Sequence, residues 1–345
     1  MDDMPGRFPP PPEAPPGYGP RHGAPSPGAS IYPLDFGRVF ELTFSLFRFN
    51  WKAFLAAALV IMIPVAALNA AMQYVAGTAM SDWMAEFITL SPDDLGLVLA
   101  SYPWRLFALG IAVSVVTGIG TYLVVAATAW LTAATITGAR ASGLEATRAA
   151  LARLRSIIGA YLLIFGAIVA IGVIGGLLVV LVILGLSGSV GPASGLAVFI
   201  GLVVGVATFA AVILVGVRWA FVAQSIIFEG AGAVGSLGRS WRLVVGSTWR
   251  VLGYTILFGI LVALIATIVG TVMSIVVYPQ MFTLAGSISL AFDNGRLALI
   301  AFLNLVLTAL LTPIPTIALT LLWFDLRWHH GQPVPMPGQA GGPST

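Results

Sequence analysis

Residues 157–185 read IIGAYLLIFGAIVAIGVIGGLLVVLVILG, a run with no charged side chain. At about 1.5 Å of rise per residue, a helix of this length exceeds the roughly 30 Å hydrocarbon core of a bilayer. A soluble helix would keep a polar face, and this stretch has none, so it reads as a membrane span. Five further apolar stretches follow the same rule, at approximately 53–75, 106–136, 195–217, 251–277 and 297–323. The chain as a whole agrees. Of its 345 residues 59% are hydrophobic and 8% are charged, against roughly 25% charged in an ordinary soluble domain. Such a composition excludes a disordered or nucleic-acid-binding chain and makes lipid the solvent. The absence of cysteine excludes disulfides, thiol catalysis and thiolate metal sites.

The expected fold is therefore all-α, a six-transmembrane-helix bundle occupying residues 34–328. Residues 5–33 hold 11 of the 22 prolines, which marks 1–33 as a disordered Pro-rich tail, and 329–345 form a second disordered tail. The first apolar run begins too far into the chain for a signal peptide. Of the 16 Lys and Arg residues, 14 lie on the side of the membrane that carries both termini and 2 lie opposite. The positive-inside rule places both termini in the cytoplasm of a cell (plasma or inner) membrane.

Arg-bearing segments precede spans one, three and five, and each reads as an amphipathic interfacial helix. In the first, Phe36, Phe40, Phe44, Phe47 and Trp51 fall within about 80° on a helical wheel, with Arg38, Glu41, Ser45, Arg48 and Lys52 opposite. Before span five, Val234, Leu237, Trp241, Val244 and Val245 share a face and Arg239, Arg242 and Arg250 lie on another. Arg148, Arg153 and Arg155 precede span three with poor amphipathy. The pattern suggests a threefold repeat of interfacial helix and helical hairpin. Headgroup contact is expected at Arg38, Arg48, Lys52, Arg239, Trp241, Arg242 and Arg250.

No titratable residue falls in the middle of a span, and the three histidines are His22, His329 and His330. Ion-coupled transport and intramembrane hydrolysis normally place Asp, Glu or His there, so an enzyme is not expected. Gly230, Gly232 and Gly235 spell G-x-G-x-x-G, but without a strand before them they do not form a dinucleotide site. Gly185-Leu186-Ser187-Gly188 is similar to the G-x-S-G of rhomboid proteases, yet no histidine lies in any span to serve as base.

Hydroxyls are the recurring polar groups inside the spans. Thr117, Thr121, Thr128, Thr132 and Thr135 fall within about 60° of arc in span two. In span six Asn304, Thr308, Thr312, Thr316 and Thr320 step by four past Pro313 and Pro315. The prolines should kink the helix and free carbonyls that threonine hydroxyls can satisfy. The same threonines could instead line a polar seam between the two spans. Gly172 to Gly176 and Gly201 to Gly205 have the spacing of close helix crossings, which the abundance of glycine also explains. Asn69 and Gln73 sit near the outer end of span one, where they would cap the bundle. The first external loop, about 77–105, carries Asp82, Glu86, Asp93 and Asp94 beside Trp83, Phe87, Tyr102 and Trp104. Ser91-Pro92-Asp93-Asp94 reads as a helix start within a lid on the outer leaflet, and its carboxylates are too few for a calcium site.

Three segments carry a resemblance to a known family. These are Pro33-Leu34-Asp35-Phe36-Gly37, then Glu229-Gly230 with Ser236-Leu237-Gly238-Arg239-Ser240-Trp241-Arg242-Leu243-Val244 and Gly246, then Phe324-Asp325-Leu326-Arg327. Together they make residues 33–330 similar to the glycerophosphoryl diester phosphodiesterase membrane domain family of multipass bacterial and archaeal proteins. The resemblance implies a multipass membrane domain. The family is named for members fused to a metal-dependent phosphodiesterase domain that uses His and paired carboxylates. This chain has no such domain and no His-Arg-Gly signature, so the resemblance implies no catalysis.

The expectation is a non-enzymatic integral membrane protein, with no cofactor or metal, that binds lipid or a membrane partner through its basic interfacial helices. The alternative is an uncoupled facilitator moving a lipid or amphiphile along the threonine seam. Expected partners are membrane lipids, a membrane protein or a second copy of the chain, and no nucleic acid.

Overall fold

The structure, a computed structural model, describes residues 34–89, 104–186, 192–277 and 293–332. Residues 1–33 and 333–345, residues 90–103 of the first external loop with Ser91-Pro92-Asp93-Asp94, and Ser187-Gly188 lie outside the described residues, whereas 329–332 of the C-terminal tail lie within them. Among the described residues there are ten helices: α1 (Phe36–Thr89), α2 (Trp104–Ile136), α3 (Gly143–Leu151), α4 (Leu154–Leu186), α5 (Pro192–Arg218), α6 (Val222–Glu229), α7 (Ala233–Val244), α8 (Thr248–Val277), α9 (Asn294–Leu311) and α10 (Pro313–His329). Six helical segments are long and apolar enough to cross a membrane: α1, α2, α4, α5 with α6, α8, and α9 with α10.

Most of the buried core lies toward one end of the bundle, formed by the first half of α1, the last half of α2, the length of α10, the starts of α4 and α8, and the short helices. Trp323, Phe54, Phe221 and Phe258 are its largest fully buried side chains. Arginines concentrate at this end, hereafter the basic end. Away from it α4, α5 and α8 present rows such as Leu177, Leu181, Leu202, Phe209, Ile260, Leu264 and Ile268 to the outside. Exposed rows of that length are tolerable only against hydrocarbon.

Local chemistry explains where the helices break. Asn50, at φ −128° and ψ 30°, interrupts α1 between residues 36–49 and the membrane span, and its amide donates to the Ala141 carbonyl at 3.4 Å. Ser142 and Glu145 close a reciprocal capping box at the start of α3. Pro313 and Pro315 separate α9 from α10 at Thr312, as their missing amide hydrogens require. The threonine hydroxyls do not reach the carbonyls of Ala309 and Leu311 that the prolines deprive of donors. Each returns to the carbonyl four residues before it: Thr308 to Asn304, Thr312 to Thr308, Thr316 to Thr312 and Thr320 to Thr316, at 2.7–2.8 Å.

Short helical segments therefore precede spans one, three and five, but their protein-facing sides differ from the apolar faces read in the sequence. In residues 36–49 the buried line is Val39, Thr43 and Leu46, while Phe36 and Phe40 remain exposed enough to flank Tyr254 and Phe258, with ring centroids at 5.1 and 6.0 Å. In α3 it is Gly143, Ala146, Thr147 and Ala150. In α7 it is Ser236, Ser240, Leu243 and Val244, whereas Val234, Trp241 and Val245 are exposed. Small or hydroxylated residues recur on these sides, alone in α3 and beside Val39, Leu46, Leu243 and Val244 in the other two, and they permit close approach when the surrounding solvent is itself apolar.

Gly143 shows how close. A Cβ there would lie 2.6 Å from the Ala53 carbonyl oxygen and 2.8 Å from the Ala57 nitrogen. Because those atoms are backbone, Gly143→Ala should cost about 1–3 kcal/mol, read as a lower thermal-unfolding midpoint in detergent. Gly176→Ala, where nothing stands within 4 Å, serves as the control and should not lower it. The glycine at the α4–α5 crossing is Gly175, against Thr208; a Cβ at Gly172, Gly176 or Gly205 would meet open space.

Candidate functional site

At the basic end three helices each bring a pair of polar residues, three or four positions apart, to one cavity of about 550 Å³. Ser225 and Glu229 come from α6, Arg239 and Arg242 from α7, and Arg327 and His330 from α10 and the residue after it, with Leu243 and Gln332 completing the lining. Glu229 is the hub. Its Oε2 accepts from Arg239 Nη1 at 2.7 Å and its Oε1 is paired with Arg327 Nη1. One carboxylate thus holds two guanidinium groups against each other.

The local fold places these groups for identifiable reasons. Helix α6 ends at Gly230, whose φ of 63° is readily adopted by glycine, and the Ala231 amide closes the turn on the Ser225 carbonyl at 3.4 Å. The bare Cα of Gly230 also admits the Arg153 guanidinium, which a Cβ would meet at 3.3 Å. Helix α7 is pinned to the α5–α6 turn by Ser240, which donates to the Arg218 carbonyl at 2.8 Å and accepts from the Phe221 amide at 3.1 Å. Beneath the site Phe228, Trp323 and Phe324 pack with ring centroids 5.1–5.3 Å apart, and the Arg327 guanidinium lies 4.9 Å above the Trp323 ring.

A second ionic junction lies two residues away along α10. Asp325 is fully buried; its Oδ1 accepts the Leu34 amide at 2.9 Å, and its Oδ2 lies 2.7 Å from Arg250 Nη2. The same Arg250 nitrogen donates to the Leu34 carbonyl at 2.7 Å. Leu34 is therefore clamped at both backbone polar groups.

The residues expected to meet headgroups separate into two kinds. Arg250 is committed to Asp325 and Leu34, and Arg239 to Glu229. The exposed Trp241 ring carries the Arg218 guanidinium at 5.2 Å. Arg38, Arg48, Lys52 and Arg242 are exposed and, among the described residues, have no carboxylate partner; Lys52 Nζ lies 5.7 Å from the Trp51 ring. Glu229, Arg327, His330 and Ser225 were not among the expected contacts, although Glu229 and Arg327 belong to the quoted motifs.

The two threonine rows are placed mostly in packing. Thr128, Thr132, Thr135, Thr316 and Thr320 are buried, and Thr121, Thr132 and Thr135 bond carbonyls of their own helix. Thr117 and Thr121 are half-buried, Thr308 is exposed and Thr312 half-buried. The buried Gln224 amide reaches Thr320 Oγ1 at 3.4 Å. Asn304 lines a cavity of about 570 Å³ with Thr267, Gly270, Thr271 and Ser274, between α8 and α9. Asn69 and Gln73 line another, of about 510 Å³, with Met72, Phe107 and Phe165. Among the described residues no cluster of His, Asp and Glu has metal-site geometry.

Six apolar helices with their charges gathered at the ends define a multipass integral membrane protein. A family model described as a domain of unknown function, DUF7847, matches residues 45–326, and the chain belongs to that family. No curated protein and no solved structure matches it.

Proposed function

We propose that this is a non-enzymatic protein of the cell (plasma or inner) membrane, with both termini cytoplasmic, whose basic end binds anionic lipid headgroups. The observation that carries the reading is a set of exposed cations, Arg38, Arg48, Lys52 and Arg242, that have no carboxylate partner among the described residues and lie on or next to short helices where the apolar side chains Phe36, Phe40, Trp51, Val234 and Val245 are also exposed. An amphipathic segment of this kind is stable with its apolar side in the acyl boundary and its cations among headgroups. The charge asymmetry along the chain supports the orientation. A membrane-protein partner or a second copy would use the same surface.

Kinship with the glycerophosphoryl diester phosphodiesterase membrane domain is part of this proposal. Its support is spatial: Leu34, Glu229, Arg239, Asp325 and Arg327, drawn from all three motif segments, make the two adjoining ionic junctions. Conduction along the threonine seam has less support, since of the seam's residues only Asn304 lines any of the cavities described above.

The test is native mass spectrometry of the full chain released from its own membranes, comparing the wild type with a triple variant, Arg38→Gln, Arg48→Gln and Lys52→Gln. Each basic residue near an anionic surface contributes about 1 kcal/mol, so the variant should retain anionic lipid about a hundredfold more weakly. Arg250 is left intact because its loss would break the Leu34 clamp. Unchanged anionic-lipid retention in a folded variant would sink the reading, and a stoichiometric protein partner would replace it.

A further inference from the structure

The Glu229 cavity is more specific than a basic surface. Three guanidinium groups, of Arg239, Arg242 and Arg327, face one carboxylate, an excess of two positive charges among these four groups. Arg153 adds a fourth cation beside Gly230. Among the described residues neither Arg242 nor Arg153 has a carboxylate partner. Like charges held this closely repel one another, and a second anion would relieve that repulsion.

The donors also have a shape. Arg239 and Arg327 converge on the two oxygens of Glu229, so their planar forks already point to positions about one carboxylate apart. His330 also lines the cavity, with its Nδ1 engaged by the Leu326 carbonyl at 2.6 Å. Ser225, which is buried, and Gln332, which is exposed, add neutral polar groups to the lining. A doubly charged, three-oxygen anion matches this arrangement in both charge and donor number, since a phosphomonoester carries about −1.5 to −2 at neutral pH and three acceptor oxygens. A phosphodiester carries one charge and has two such oxygens, so it would leave part of the excess unneutralised.

We infer that the cavity bounded by Glu229, Arg239, Arg242, Arg327 and His330 is a binding site for a phosphomonoester group, carried by a lipid headgroup or by soluble phosphate. This rests on the reading that the basic end meets anionic headgroups, and it assigns the chemical class that the enclosed part of that surface selects. Arg242 supplies the uncommitted guanidinium, while Glu229 holds Arg239 and Arg327 in place and competes with the ligand for them.

The experiment uses the full chain in phosphatidylcholine nanodiscs containing equal small fractions of phosphatidic acid and phosphatidylglycerol, with retained lipid read by native mass spectrometry. Phosphatidic acid should be retained at least tenfold over phosphatidylglycerol. Arg242→Gln, which breaks no ion pair among the described residues, should abolish that preference while the unfolding midpoint stays unchanged; Arg242→Lys should restore part of it. Adding millimolar inorganic phosphate separates the sources: displacement of the lipid assigns the site to a soluble phosphate, and persistence assigns it to a headgroup, both within the inference. Equal retention of the two lipids, or a preference that survives Arg242→Gln, would overturn it. In that event a loss of both lipids in the triple Arg38, Arg48 and Lys52 variant would leave the broader headgroup reading standing, and an unchanged signal there would remove both.

Discussion

Replacing Asp325 by alanine is expected to lower the unfolding free energy by about 3–5 kcal/mol, the usual consequence of removing one partner from a buried ion pair. The side chain is 0% exposed and Arg250 is 33% exposed, so the guanidinium left behind recovers only part of its hydration. The loss extends to the backbone, because the Leu34 amide gives up its 2.9 Å acceptor in a position shielded from water. Asp325→Asn should be milder, since an amide oxygen can still receive the Leu34 amide. Arg250→Gln should be nearly as costly as the alanine change, as it leaves a buried carboxylate with the Leu34 amide, at 2.9 Å, and His329 Nδ1, at 3.5 Å, in place of a guanidinium. The double variant Asp325→Asn with Arg250→Gln removes both charges and should cost less than the sum of the singles by more than 1 kcal/mol. The measurement is reversible unfolding in mixed detergent micelles. Strict additivity, or an alanine variant within 1 kcal/mol of wild type, would show that the clamp does not hold the start of α1 to α10.

Sequence revealed the spans because membrane crossing is a length and composition problem that each segment solves alone. It revealed less about faces. On α7 the wheel grouped Val234, Leu237, Trp241, Val244 and Val245 as one apolar face; of these Val244 is buried while Val234, Trp241 and Val245 face out, and Ser236 and Ser240 face the protein. The usual rule, apolar inward, presupposes water outside. Where the outside is hydrocarbon or headgroup, close approach and hydrogen bonds decide, and serine serves both. The site was half legible for a related reason. Arg239, Arg242 and Arg250 stand out as basic residues beside a span, but charge counting cannot distinguish Arg250, bound to Asp325 and Leu34, from Arg242, which has no such partner among the described residues. Glu229 and Arg327 are 98 positions apart, and nothing in either local pattern announces that they meet. The clue was the grouping of the motif segments, since Glu229, Arg239, Asp325 and Arg327 all fall within them.

Glu229→Ala should destabilise the protein by about 3 kcal/mol, at the lower end of what loss of a buried partner costs. The two guanidinium groups it serves will not share that loss equally. Arg239 is 46% exposed and can turn to water, whereas Arg327 is 12% exposed and seated on the Trp323 ring. Most of the effect should therefore come from Arg327. Adding Arg239→Gln to the alanine variant should change stability by less than 1 kcal/mol, in keeping with the small worth of exposed pairs. Adding Arg327→Gln should recover much of what was lost, because it removes the stranded charge. Thermal unfolding of the four proteins in one detergent checks the scheme. If Arg239→Gln gives the recovery instead, the repulsion is relieved at the rim of the cavity, and Arg239 rather than Arg327 is the cation that Glu229 is there to hold.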